Sequence, residues 1–326
     1  MDGVMKGKLT LVARKPSFGL PTACPKCLPA YIYLRLAKVP FDLDFNLLDP
    51  DSEKIPYVES EDYVAYNNEK GGVIEGLKDD GVVDLDSRVE FDPDWLSTNA
   101  MITSWLSDAV MYELWVASDE SPVHKIYYSD LAWPMGKIMF LKQVRVVKQL
   151  LGINSDNADR REAEIYRRAT RAYKALSTKL GDETFFFDNR PTSVDANFLA
   201  HALFTLQALP ETSTLRSKLL EYSNIVSYAE KLRKEFVDPD PNCSSAPQPL
   251  SGSSSSDPKG SRSSWRSKPK SKPKKEKTEE EKTFRRRAKY FLGAQVVAVL
   301  VFLTLMAGGD DVEVELDEDD DFGYNY

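Results

Sequence analysis

The sequence is poor in the residues on which most side-chain chemistry rests. Its 326 residues include three cysteines and two histidines. Cys24 and Cys27 stand in C-x-x-C spacing, and Cys243 lies far off in a Ser/Pro-rich stretch. Such a chain is no disulfide scaffold and suits a reducing compartment. Two cysteines without a second Cys/His cluster make no zinc site, so no metal and no cofactor is expected. The opening MDGVMKGKLTLVARK has no apolar signal core and is not an Arg/Ser-rich presequence. The N-terminus is therefore expected to stay in the cytosol. Long apolar runs are also missing, with one exception near the C-terminus.

That exception is YFLGAQVVAVLVFLTLMA at 290–307, in which Gln295 and Thr304 are the polar residues and no residue is charged. As a helix it spans about 27 Å, enough for the hydrocarbon of a thin bilayer. Arg285, Arg286, Arg287 and Lys289 precede it, and Asp310, Asp311 and the acidic run 317–321 follow it. Positive charge stays on the cytosolic side, so the bulk of the chain is expected to face the cytosol. With so little chain after the span, the reading is a tail anchor. A short, moderately hydrophobic span suits the mitochondrial outer membrane or the endoplasmic reticulum better than the thicker plasma membrane.

Charge is unevenly spread. Between Lys259 and Lys289 there are 14 Lys and Arg against 4 acids, whereas 9 acids and no base follow Ala307. The remaining body is mildly acidic, which excludes nucleic-acid binding as its function. A basic stretch beside an apolar helix has a membrane surface as its natural partner.

Along the body, Lys8–Val12 alternates as a strand, and CLPAYIYLRLAKVPF carries a helical stripe of Leu28, Ile32 and Leu36 that ends at Pro40. Phe41–Leu47, Ile55–Val58 and Tyr63–Ala65 read as strands, and Gly72–Lys78 as a short helix. The order β-α-β-β-β-α over 1–84 is an α/β unit of thioredoxin-like size. From Asp92 to residue 237 the pattern is all-helical. Asp92 caps a helix opened by Pro93, with Trp95, Ile102, Trp105, Leu106, Val110 and Leu114 as its buried face. Further helices are expected at about Ser129–Leu151, Asn157–Leu180, after Thr192, Ser213–Tyr222 and Ile225–Phe236. Thr192 and Asp195 have capping-box spacing. Residues 238–283 are a Ser/Pro/Lys-rich linker too polar to fold, followed by the anchor at 288–307 and an acidic tail at 308–326.

An α/β unit followed by a helical unit resembles the glutathione-transferase architecture. Ile55-Pro56 stands where that fold keeps a cis-proline, and Thr192…Asp195 after FFFDNRP resembles its buried capping box. Closer still is the resemblance to metaxins of the plant type, carried by TLVARKPSFGLPTACPKCLPAYIYLRLAKVPF, YVAYNNEKGGVIEGL, KIYYSDLAWPMGKIMF and RPTSVDANFLAHALFTLQALP. It covers about residues 8–237. What it implies is a non-enzymatic receptor or scaffold in protein import and β-barrel sorting at the mitochondrial outer membrane. Its partners would be the β-barrel insertion channel, other sorting and assembly subunits, and precursor proteins. This chain departs from mitochondrial anchors in carrying acids after the span.

The alternative is a membrane-anchored glutathione-dependent transferase or thiol oxidoreductase. A transferase of this resemblance needs an acid–hydroxyl pair opening the helix after the fourth strand, and Tyr66-Asn67-Asn68-Glu69-Lys70 has the acid without the hydroxyl. Ser17 and Cys24 are the candidates for its thiolate-stabilising residue. Cys24-Pro25-Lys26-Cys27 resembles a glutaredoxin site. Were Cys24 the helix cap, however, Pro29 would delete an internal hydrogen bond at about 3 kcal/mol. A cap at Cys27 or Leu28 puts Pro29 in the first turn and leaves Cys24 in the loop, away from the helix end. Cys24, Cys27 and Pro56 are thus expected to be a vestigial thiol site; a Cys24 pKa near about 5 would overturn that. His201 is expected to be a hydrogen-bonded core residue and His124 to lie near a loop. Tyr127, Tyr128 and Trp133 are candidates for a partner surface or for domain packing.

Overall fold

A computed structural model describes residues 8–46, 53–61, 63–69, 71–131, 133–187 and 189–238, together with 295. Strands β1 (Leu9–Ala13), β2 (Phe41–Phe45), β3 (Tyr57–Ser60) and β4 (Tyr63–Tyr66) form one sheet in the order β2-β1-β3-β4. β1 runs parallel to β2, with Leu11 beside Leu43, and antiparallel to β3, with Leu11 beside Val58. As an inner strand, β1 buries Leu9, Leu11, Val12 and Ala13 and leaves only Thr10 partly exposed, so both of its faces are covered at its C-terminal end. Helix α1 (Cys27–Leu36) makes the parallel crossover from β1 to β2, and α2 (Gly72–Asp79) follows β4. The third strand begins at Tyr57, two residues later than Ile55, because Pro56 has no N–H to give to a ladder; the Ile55-Pro56 peptide is cis.

The helical part opens with α3 (Pro93–Met101), whose Asp92 side chain accepts from the Asp94 amide at 2.9 Å. It continues through a π-helical turn (Ile102–Leu106) into α4 (Ser107–Tyr112) and a second such turn (Glu113–Ala117). Trp105 is only half-buried on this face, whereas Trp95, Ile102, Leu106, Val110 and Leu114 are in the core. A short helix, α5 (Ser121–Val123), continues as a π-helical turn (His124–Tyr128), so His124 is helical and exposed, a few residues from the loop before it. Consequently α6 starts later than its apolar pattern implies, at Trp133–Leu150. The remaining helices are α7 (Ala158–Leu180), α8 (Ser193–Gln207), α9 (Thr214–Leu220) and α10 (Ser223–Leu232), the last prolonged by the turn Arg233–Val237.

The α/β and helical parts belong to one compact unit with a continuous core. Their main seam is α1 against α8, which also packs on α3, α4, α9 and α10. The segment joining the parts is pinned at both ends. Tyr33 on α1 donates to the Val83 carbonyl at 3.0 Å and accepts from the Leu85 amide at 3.2 Å. Buried Asp86 accepts from the Ser193 amide at 2.8 Å and faces Lys78 at 3.2 Å.

Helix α8 owes its position to its first turn. The Asp195 carboxylate, with no exposed surface, accepts from the Thr192 amide and hydroxyl at 2.8 Å each, the Phe186 amide at 3.1 Å and the Tyr228 hydroxyl at 2.5 Å. Burial pushes this carboxyl up, against the pull of its hydrogen bonds. Thr192 completes a reciprocal capping box with it.

No helix among the described residues is long and apolar enough to cross a membrane. The 290–307 stretch apart from Gln295, its flank Arg285, Arg286, Arg287 and Lys289, the linker and the acidic tail lie outside the described residues.

Replacing Asp195 by Ala strands four donors in the core, and we expect a loss of at least about 3 kcal/mol. Thr192→Ala removes a cap and is expected to cost about 1 kcal/mol. Urea unfolding of the two variants checks the order; equal losses would contradict a network centred on the carboxylate.

Candidate functional site

A cavity of about 320 Å³ opens where the loop after β1 meets the π-helical turn Ile102–Leu106, α4, α6 and α8. Its lining is largely apolar, with Val110, Leu114, Trp115 and Phe204 among the walls, and Arg14, Cys24, Tyr127, Gln143, Asn197 and His201 among the polar residues. That mix is the usual make-up of a small-molecule site.

Cys24 is not where the loop reading put it. The chain folds into a tight turn, so the Cys24 carbonyl accepts from the amides of Cys27 and Leu28 at 3.0 Å each. The thiol is thereby carried to the N-terminal end of α1, beside Cys27, and not away from it. Pro29 still falls in the first turn of a helix that begins at Cys27, so both features coexist. Both cysteines are free thiols, Cys24 2% exposed and Cys27 fully buried. Cys24 Sγ lies 3.5 Å from the Tyr127 hydroxyl, and the Arg14 guanidinium sits 4.9 Å over the Tyr127 ring.

These neighbours set the thiol acidities. Burial pushes Cys24 up, but the hydrogen bond with Cys27, the Arg14 charge, the Tyr127 hydroxyl and the Lys26 backbone outweigh it and bring the thiol down to about 5. Burial, together with the hydrogen bond and charge of Cys24, pushes Cys27 well above the ordinary thiol value. The two sulfurs are thus split into a thiolate and a thiol at neutral pH.

Tyr128 is buried, packs on Trp115 and forms part of the cavity wall. Tyr127 is half-buried, stacks on Trp115 and turns its hydroxyl to Cys24. An aromatic pair that sequence alone allowed as a surface is therefore domain packing. Trp133 opens α6, and its side chain lies outside the described residues. Ile55, before the cis Pro56, lines the cavity. Ser17 closes a turn onto Leu20 and does not line it.

For glutathione the fit is incomplete. Helix α2 starts from Gly71 and Gly72, both at positive φ, with no side-chain cap, and Glu69 accepts from the Tyr66 amide at 3.2 Å. No Ser or Thr adjoins that acid in the sequence. Among the described residues no group of His, Cys, Asp and Glu is placed to hold a metal. Arg14 carried no sequence signal, and Tyr127, about a hundred residues from Cys24, carried only an aromatic one.

His201 hydrogen-bonds through Nε2 to the Tyr173 hydroxyl at 2.7 Å, and burial lowers its pKa to about 3. Its folded pKa is below its ordinary value near 6.5, so the unfolded chain takes up a proton that the folded one refuses. Stability is then flat above that value and falls as pH drops towards 3. Between pH 6.5 and 5 the loss is about 1.5 kcal/mol. His201→Gln keeps an acceptor for Tyr173 and should flatten urea midpoints over that interval; an unchanged slope would contradict the neutral buried imidazole.

Comparison with known proteins gives this arrangement its relatives. The family model for the glutathione S-transferase N-terminal domain matches residues 25–121, and that for the glutathione S-transferase C-terminal domain matches 169–232. A glutathione transferase of Phanerochaete chrysosporium superposes with a TM-score of 0.47 at 11% identity, over 70% of this chain and 98% of its own. Mouse metaxin-1 is 22% identical over 69% of this chain and 74% of its own. The "Mitochondrial outer membrane import complex protein METAXIN" of Arabidopsis thaliana is 56% identical over 96% of this chain and 97% of its own. With that identity held along nearly the whole of both sequences, on a transferase-like framework, the chain belongs to the metaxin family.

Proposed function

We propose that the chain is a receptor or scaffold subunit for protein import and β-barrel sorting at the mitochondrial outer membrane. Its partners are the β-barrel insertion channel, the other sorting and assembly subunits, and arriving precursors. The observation that carries this reading is the identity to the Arabidopsis import-complex protein over 96% of the chain. Coverage that high leaves too few residues over to skip the apolar stretch at 290–307, so the likeness runs through it and is not limited to the folded body.

In this reading residues 290–307 are a tail-anchored transmembrane helix. Arg285, Arg286, Arg287 and Lys289 hold its leading end in the cytosol. The polar linker at 238–283 lets the body reach partners on the membrane without lying on it. The body works by binding rather than by conjugating glutathione. The α2 start without an acid–hydroxyl pair supports this, since a shared framework does not bring its chemistry with it.

In mitochondria depleted of the chain, assembly of a newly made β-barrel precursor should fall several-fold while a matrix-bound precursor enters normally; loss of neither, or an equal loss of both, would contradict the proposal. Ending the chain at residue 287 should leave a folded protein that carbonate-washed membranes no longer retain, and continued retention would refute the anchor. Retention on immobilised glutathione with turnover of a standard electrophile would refute the binding-only body.

A further inference from the structure

The cavity holds more chemistry than a binding scaffold needs. Cys24 lines it, whereas Cys27 is fully buried and does not. The turn that closes on the Cys24 carbonyl keeps the two thiols in hydrogen-bond contact without a bond between them. One sulfur is reached from the cavity and the other stands behind it.

We propose that Cys24 and Cys27 form a reactive dithiol that reduces low-molecular-weight disulfides entering the cavity, with Cys24 as attacking sulfur and Cys27 as resolving sulfur.

The charged or titratable groups that face or line the cavity around Cys24 are Arg14, Lys26, Cys27, Glu53, Tyr127, Tyr128 and His201. Arg14, Tyr127 and the Lys26 backbone stabilise the Cys24 thiolate, and His201 is neutral. In the first step the Cys24 thiolate attacks one sulfur of the disulfide R–S–S–R. A Cys24–S–S–R bond forms, the R–S–S–R bond breaks, and R–S⁻ leaves and takes a proton from water. In the second step Cys27 loses its proton and attacks the Cys24 sulfur. The Cys24–Cys27 bond forms, the second R–S⁻ leaves, and it is protonated in turn. The disulfide is reduced to two thiols, and the protein dithiol is oxidised to one disulfide.

The order of events follows from the electrostatics. Burial, then the hydrogen bond and charge of Cys24, keep Cys27 protonated. Once Cys24 is in a mixed disulfide its charge is gone, and Cys27 ionises more readily than before. The first step therefore arms the second. A cavity near 320 Å³ is at the small end of ligand sites, which suits a short thiol compound rather than a folded protein.

The test uses the full chain with Cys243→Ser, so that only the two buried thiols report, and bis(2-hydroxyethyl) disulfide, small enough for the cavity, as probe. After acid quenching, intact mass should show the loss of two hydrogens, with two mercaptoethanol molecules released per chain. Cys27→Ser should stop at a single mercaptoethanol adduct, mapped to Cys24, and Cys24→Ser should react at least about tenfold more slowly. Independently of folding in those variants, iodoacetamide labelling of Cys24 in the Cys243→Ser chain should titrate with a midpoint near 5, and Tyr127→Phe should raise it. Thiols that stay reduced in the folded chain but react in denaturant would overturn the proposal. So would a Cys24 midpoint near about 8.5.

Discussion

Asp195 has no exposed surface, and its carboxylate accepts from four donors drawn from three places in the chain. A buried carboxylate is tolerable only when its oxygens are satisfied in this way. Thr192 defines where α8 begins, Phe186 fixes the segment before it, and Tyr228 ties α10 to the same point. With α8 placed, α1 has a partner to pack against, and the sheet behind α1 follows. The Asp86 bond to the Ser193 amide then attaches the joining segment to the same helix end. A single polar knot at the start of α8 thus determines how the α/β and helical parts meet.

The cavity is a consequence of that meeting. The loop after β1 supplies Arg14 and Cys24, the turn after α5 supplies Tyr127, and α8 supplies His201. None of these elements makes a site alone. Their convergence also explains the split between the two thiols. The thiol that reaches the cavity lies near a guanidinium and a hydroxyl, while its neighbour is enclosed by core side chains.

Much of the framework was legible in the sequence because its signals are local. The strand–helix order through Asp79, the Asp92 cap before Pro93 and the Thr192–Asp195 spacing each depend on residues close together in the chain. The short helix from Ser121 was not legible. Three residues continued by a π-helical turn give no 3.6-residue stripe. The thiol site was half legible. The constraint at Pro29 put the cap of α1 at Cys27 or Leu28, one or two residues after the observed cap at Lys26, and nothing local told that the loop folds Cys24 back onto the helix start. Its partners Arg14 and Tyr127 come from other elements, and only tertiary packing brings them together. Tyr127 and Tyr128 show the converse case, in which an exposed-looking aromatic pair is absorbed by Trp115.

A framework shared with transferases, a start of α2 that lacks their acid–hydroxyl pair, and close kinship to a plant import-complex protein fit a body that binds rather than conjugates. The most direct test of that account is crosslinking of the intact chain in isolated mitochondria, followed by identification of the chains bound to it. The account predicts the outer-membrane β-barrel insertion channel among them. Crosslinks confined to endoplasmic-reticulum proteins, or to no membrane protein at all, would contradict it.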